Sequence, residues 1–260
     1  MFFIVFRKIG CCESAAYSVQ YRQKSLNNDS IVKNGKGVQK MRFVLIPVCA
    51  VLAAFFLRQE SRKKFVSAVI LKGLASLCFV ILGMLCSSGT HTAKLMAIGL
   101  ILDCVADVML NLRWVFQKKG QMIFLAGILV FLSGHILYLA AVLPLCANWI
   151  VCCAAGIVLT ALLMIWIFKR ITAKKAFKIF GVFYIGAIVL LNCVAFGNLF
   201  DAPSAFTGLF AAGAVFFLVS DIVLILNTFG AQTKQSLRIT NISLYYIGQL
   251  LIACSLLFLK

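Results

Sequence analysis

The chain has 260 residues, 63% of them hydrophobic and 12% charged, with a mean hydropathy of +1.05. That composition excludes an ordinary soluble domain of this length and leaves room for about eight spans of roughly 20 apolar residues, with short loops and no separate soluble domain. The net charge of +18 reads as loops facing anionic lipid headgroups, and no nucleic-acid partner is expected.

Residues 1–40 are polar, carry seven Lys or Arg and contain the turn-formers Asn27, Asn28, Asp29, Ser30 and Asn34-Gly35, which predicts a basic, disordered extension. Its apolar patch, Phe2–Phe6, is too short for a signal-peptide core and has no basic region ahead of it. Apolar runs bounded by charge then predict spans at Phe43–Leu57, Phe65–Cys86, Ala93–Leu112, Met122–Leu143, Cys146–Phe168, Ile179–Phe200, Ala205–Asn227 and Ile242–Leu259. The first is the shortest of these.

Loop charge gives an orientation. Arg58, Arg62, Lys63 and Lys64 follow span one; Arg113, Lys118 and Lys119 follow span three. Lys169, Arg170, Lys174, Lys175 and Lys178 follow span five, and Lys234 and Arg238 follow span seven. The alternate loops carry only Lys94, so the basic loops are expected on the cytoplasmic face of a cell or endomembrane, with both termini opposite. The basic segment 1–40 runs against that orientation: either it tolerates translocation, or the natural start is Met41, which is the favoured reading. The expected domain boundary therefore lies there, with a transmembrane domain over 41–260.

The eleven cysteines are odd in number and form no C-x-x-C, so neither a disulfide framework nor a zinc site is indicated. His91 and His135 are the only histidines. No metal or organic cofactor is expected.

Three of the seven acidic residues, Asp103, Asp107 and Asp221, fall inside apolar spans. An ionised carboxylate there costs several kcal/mol unless it is paired or hydrated. Gly99-Leu-Ile-Leu-Asp-Cys-Val-Ala-Asp107 and Gly213-Ala-Val-Phe-Phe-Leu-Val-Ser-Asp221 lie 114 residues apart, and the same offset relates Gly134-His135 to Gly248-Gln249 and Phe131 to Tyr245. This suggests two four-helix repeats, about 41–143 and 146–259, related by a pseudo-twofold axis along the membrane normal. Asp107 and Asp221 then lie at equal depth, about 8–10 Å below the cytoplasmic surface. Lys72, Tyr184, Tyr245 and Tyr246 count to a similar depth, so one pocket open to the cytoplasmic leaflet could collect them. Structural readings stand beside each: Lys72 as a snorkelling cation, Tyr245 and Tyr246 as interfacial aromatics, and His135 as a packing histidine or a partner of Asp103.

The two aspartate segments resemble signature stretches of the lysoplasmalogenase family, YhhN-like integral membrane proteins of about eight spans. Gly99, Leu100, Asp107 and Leu110 match the first stretch, and Phe217, Ser220, Asp221, Leu224 and Phe229 the second. Phe131-x-x-x-His135-x-x-Tyr138, Tyr245-Tyr246-x-x-Gln249 and Lys72 are further matches, in the right order over about 43–259. Asp103 stands where the family usually has Ser, Ala106 where it has Gly, and Gly73 where it has Pro.

The resemblance implies hydrolysis of the vinyl-ether bond of lysoplasmalogens to a fatty aldehyde and a glycerophospho-base. Protonation of the vinyl carbon is the difficult step, and paired carboxyls suit it: one neutral as general acid, the other ionised to stabilise the oxocarbenium ion and draw a proton from water. Asp107 and Asp221 are the catalytic candidates. Lys72, Tyr184, Tyr245, Tyr246, Gln249, His135 and Asp103 are the candidates for holding the lysolipid, which would enter sideways from surrounding membrane lipid. No G-x-S-x-G elbow accompanies them. Intramembrane carboxylates in parallel repeats also fit a proton-coupled transporter of a small solute or lipid, which needs access from both faces. A helix-binding scaffold leaves the buried acids unexplained.

Overall fold

A computed structural model describes residues 41–259 together with Gly37 and Gln39; the rest of the basic extension lies outside the described residues. The chain divides into two units, Met1–Val44 and Leu45–Lys260, and the account below concerns the second. Among the described residues there are eight helices long and apolar enough to cross a membrane and no strands beyond one isolated bridge, Ile171 with Gly230. They are α1 (Met41–Ser61), α2 (Phe65–Cys86), α3 (His91–Val115), α4 (Gly120–Val142), α5 (Trp149–Phe168), α6 (Lys175–Asp201), α7 (Ala205–Phe229) and α8 (Gln235–Ser255). The chain is thus an all-α, multi-pass integral membrane protein, as its composition requires.

Local chemistry sets the helix ends. The Thr90 hydroxyl accepts the Ala93 amide to start α3. At the start of α7, Ser204 and Thr207 each accept the other's backbone N–H, a reciprocal cap just after Pro203. Helices α1 and α2 are joined by a tight turn with Lys63 at φ 58°, and Gly89 supplies φ 76° between α2 and α3.

Several helices run beyond the expected spans. Helix α8 begins seven residues before Ile242, because two polar groups of its first two turns find partners in the protein: Asn241 is buried against Ser220 and Arg238 pairs with Glu60. Helix α6 likewise starts at Lys175, and α1 extends to Ser61. Helix α5 begins at Trp149, three residues later than expected, after the Leu143–Leu145 turn that contains Pro144.

Six helices close a ring in which α2 packs on α3, α3 on α4, α4 on α6, α6 on α7, α7 on α8, and α8 back on α2. Helix α5 rests on α6 outside the ring, and α1 reaches α2 through the Cys49 thiol, which donates to the Ala75 carbonyl. The two most intimate seams are α3 with α4 and α7 with α8. Both depend on missing side chains. A Cβ on Gly248 would lie 2.9 Å from the Gly213 carbonyl oxygen, and one on Gly99 would strike the Tyr138 ring. Lipid offers no hydrophobic drive between helices, so such close backbone approach is what holds them together. Large apolar side chains such as Ile150, Val158, Leu162 and Ile165 remain exposed along α5, where lipid would cover them.

Candidate active site

Each ring helix sends polar groups inward at helical spacing. Lys72 and Ser76 share a face of α2, as do Asp103, Asp107 and Asn111 on α3 and Asn241, Tyr245 and Gln249 on α8. Asp221 lies on α7, Tyr184 on α6, and Phe131, His135 and Tyr138 on α4. All of them are buried.

Asp107 is the most heavily furnished. One oxygen pairs with the Lys72 ammonium at 2.8 Å, with side-chain exposures of only 1% and 5%. The other accepts the Tyr245 hydroxyl at 2.7 Å and the Ser76 hydroxyl. Asp221 accepts the Tyr184 hydroxyl at 2.8 Å. Its position is braced by its neighbour Ser220, whose hydroxyl donates to the Asn241 carbonyl while the Asn241 amide returns bonds of 2.9 Å to the Ser220 carbonyl and hydroxyl. That exchange locks α7 to α8 one residue from the carboxyl.

Lys72, Asp107, Tyr184, Asp221 and Tyr245 all line one cavity of about 40 Å³, room for two or three waters. Its lining overlaps that of two larger spaces. One is a vestibule of about 610 Å³ at the basic-loop end, which shares Arg113, Phe124, Leu224 and Arg238 with the cavity. The other is an apolar cleft of about 60 Å³ between α4, α5, α6 and α7, which shares Leu110, Phe124, Phe131, Tyr184 and Leu224. A water-sized pocket with two carboxyls from different helices, a lysine and two tyrosines thereby shares wall residues with an apolar cleft and a cationic mouth.

The YhhN family model matches residues 67–256, which span every one of these side chains. The chain belongs to the YhhN family. No curated protein matches it, and no solved structure does.

The remaining candidates stand behind the cavity wall of this YhhN protein. Asp103 accepts the Tyr138 hydroxyl and the Gln249 amide, each at 2.7 Å, and its other oxygen has no hydrogen-bond partner. Gln249 reaches the Tyr245 hydroxyl at 3.5 Å, so it links Asp103 to a group on the cavity wall. Tyr246 meets Ser76 at 3.2 Å and donates to the Lys72 carbonyl. Asp103 is not paired with His135; the histidine Nδ1 lies 2.8 Å from the Phe131 carbonyl one turn back, and its ring packs edge-on against Phe217 at 4.5 Å. Of its two readings, packing is the one that this geometry matches.

Sequence reasoning missed Ser76 and Arg113. Ser76 lies four residues after Lys72, a helical spacing that would have placed it beside the same carboxylate, whereas Arg113 was counted with the loop cations although it belongs to the last turn of α3. Among the described residues no three His, Cys, Asp or Glu side chains gather as a metal-ligand set. All nine described cysteines are free thiols.

Proposed function

We propose that this YhhN protein is a membrane hydrolase that cleaves the vinyl-ether bond of a lysoplasmalogen, lysoplasmenylcholine or lysoplasmenylethanolamine. The products are a fatty aldehyde and a glycerophospho-base. The observation that carries the reading is that Asp107 and Asp221, from separate helices, border one pocket sized for water that shares wall residues with an apolar cleft.

The roles follow from the hydrogen bonds. Asp107 receives three donors, one of them cationic, which suits a standing carboxylate. Asp221 receives one described donor and is the better placed of the two to carry a proton. In the reaction, Asp221 gives that proton to the alkenyl carbon remote from the ether oxygen. The resulting oxocarbenium ion is stabilised by the Asp107 carboxylate, and water held in the cavity attacks it while Asp107 takes the water's proton. Asp107 then passes that proton to the ether oxygen as Asp221 regains one from the hemiacetal hydroxyl, and the hemiacetal collapses to aldehyde and glycerol hydroxyl. Lys72 keeps Asp107 charged and oriented. The apolar cleft takes the first carbons of the alkenyl chain, the rest of which runs out into surrounding lipid, and the basic end, taken as cytoplasmic, admits the lipid. The same reading treats the two halves as duplicated, with α3 and α7 each supplying one acid.

Purified protein should release fatty aldehyde from lysoplasmenylcholine and none from the saturated-ether analogue. Loss of either proton-transfer group typically costs about 10²–10⁴-fold in rate, so Asp107→Asn and Asp221→Asn should each fall by that much. Full activity in either folded variant refutes the mechanism. Lipid carried unchanged across proteoliposomes, with no aldehyde formed, would make the protein a transporter instead.

A further inference from the structure

The vestibule holds two arginines in different circumstances. Arg238 is committed: its guanidinium makes a bidentate pair with Glu60 at 2.8 and 2.9 Å and also reaches Asn241. Arg113 has no carboxylate within ion-pair distance among the described residues, and its buried Nε has no hydrogen-bond partner. The guanidinium is held instead between two rings, 4.2 Å from the centre of Phe124 and 4.8 Å from that of Trp114. Two aromatic faces fix the plane of the group without neutralising it. A planar, charged fork with donors to spare is suited to an anion with several oxygens, above all phosphate.

Its position narrows the ligand further. Arg113 borders both the vestibule and the carboxyl-lined cavity. Phe124 and Leu224 border all three spaces, so cavity, vestibule and apolar cleft meet beside it. Along α3, Arg113 lies six residues beyond Asp107, about 9 Å of rise. An extended guanidinium and a three-carbon glycerol together cover that span.

We propose that Arg113 binds the phosphate of a single-chain phospholipid, whose chain starts at the apolar cleft and continues into surrounding lipid while its ether linkage faces Asp107 and Asp221. This rests on the hydrolase reading for the ether linkage, but not for the phosphate contact. Arg113 is thereby the residue that separates phospholipid from uncharged alkenylglycerol. Arg238, neutralised by Glu60, does not substitute for it.

Binding is read without turnover by using a saturated 1-O-alkyl lysophosphocholine, with the 1-O-alkylglycerol of equal chain length as the phosphate-free comparison. Fluorescence of Trp114, which packs on the guanidinium, reports occupancy in a W149F/W166F background of the full chain in detergent. A charge-assisted bond is worth about 1.5–3 kcal/mol, so at 1.4 kcal/mol per decade the phospholipid should bind roughly 10- to 100-fold tighter than the alkylglycerol. Arg113→Gln should erase that difference and leave alkylglycerol affinity within about twofold, whereas Arg113→Lys should retain part of it. On lysoplasmenylcholine, Arg113→Gln should raise KM about tenfold or more with kcat little changed.

A preference for phospholipid that survives Arg113→Gln overturns the proposal. So does inorganic phosphate or glycerophosphocholine binding as tightly as the lipid, which would make the ligand a soluble anion. Weakened binding of both lipids alike in Arg113→Gln and Arg113→Lys would also overturn it, because that pattern marks a packing role. Absence of aldehyde release alongside an intact Arg113-dependent preference would sink the hydrolase reading and leave the phosphate contact standing.

Discussion

The Lys72–Asp107 pair can be tested without any assumption about chemistry. The two charges are 2.8 Å apart and almost fully enclosed, so their gross attraction is about 6 kcal/mol at an effective dielectric of about 20. Desolvation offsets much of that, but removing one partner strands the other, and such losses run about 3–5 kcal/mol. Lys72→Met leaves Asp107 with only the Ser76 and Tyr245 hydroxyls, and Asp107→Asn leaves a buried ammonium facing an amide. Each single variant is therefore expected to lose about 3 kcal/mol or more in reversible unfolding from mixed micelles. The double variant Lys72→Met/Asp107→Asn strands nothing and should be at least as stable as either single one, a coupling of several kcal/mol. Additive single losses, or a Lys72→Met cost below about 1 kcal/mol, would refute the view that the ion pair holds α2 to α3.

Four further outcomes are expected. Gly248→Ala drives a Cβ to 2.9 Å from the Gly213 carbonyl oxygen and 3.1 Å from the Phe217 nitrogen, backbone that cannot swing aside; it should lower unfolding stability by about 1–3 kcal/mol. Gly208→Ala, with nothing within 4 Å, should be neutral or slightly stabilising in the same melts. In initial-rate measurements of aldehyde release, Tyr184→Phe should be more damaging than Tyr245→Phe, because Asp221 loses its one described donor while Asp107 keeps Lys72 and Ser76. Losses of about 10- to 100-fold and under about tenfold, respectively, are the expected scale; the reverse order would contradict the roles assigned to the two acids. Asp103→Asn should leave aldehyde release within about tenfold, since Asp103 sits behind Tyr138 and Gln249 rather than on the cavity wall; inactivity of a well-folded variant would bring it into the site.

Much of this was legible in the chain because lipid imposes a simple rule: apolar runs of sufficient length become helices. The rule misjudges helix ends whose polar groups are satisfied by protein. Gln235–Asn241 has the composition of a loop, yet Arg238 and Asn241 find Glu60 and Ser220, and α8 begins seven residues early. Counting residues from the basic loops placed Lys72, Asp107, Tyr184, Asp221 and Tyr245 at one depth, because rise per residue is nearly constant, and these five border one cavity. Depth alone does not give direction around a helix. Tyr246 counts to the same depth as Tyr245 but faces Ser76 and the Lys72 backbone. Ser76 and Arg113 escaped notice for another reason: a serine in an apolar helix and an arginine at a helix end are both ordinary until their neighbours are known.

The Lys72–Asp107 contact joins consecutive helices and lies wholly within the first half of the chain. As spans leave the insertion machinery one after another, the α2–α3 hairpin can cancel its own ammonium and carboxylate before α4 is made. A lone charged side chain near mid-membrane adds about 2.5–3.5 kcal/mol to insertion. Asp221 also has its partner on the preceding helix, but that partner is the Tyr184 hydroxyl, the one donor among its described partners, and it carries no charge to cancel the acid's. The early acid can therefore be delivered to the bilayer as an internally compensated pair, whereas the late one must join a bundle that is already waiting for it.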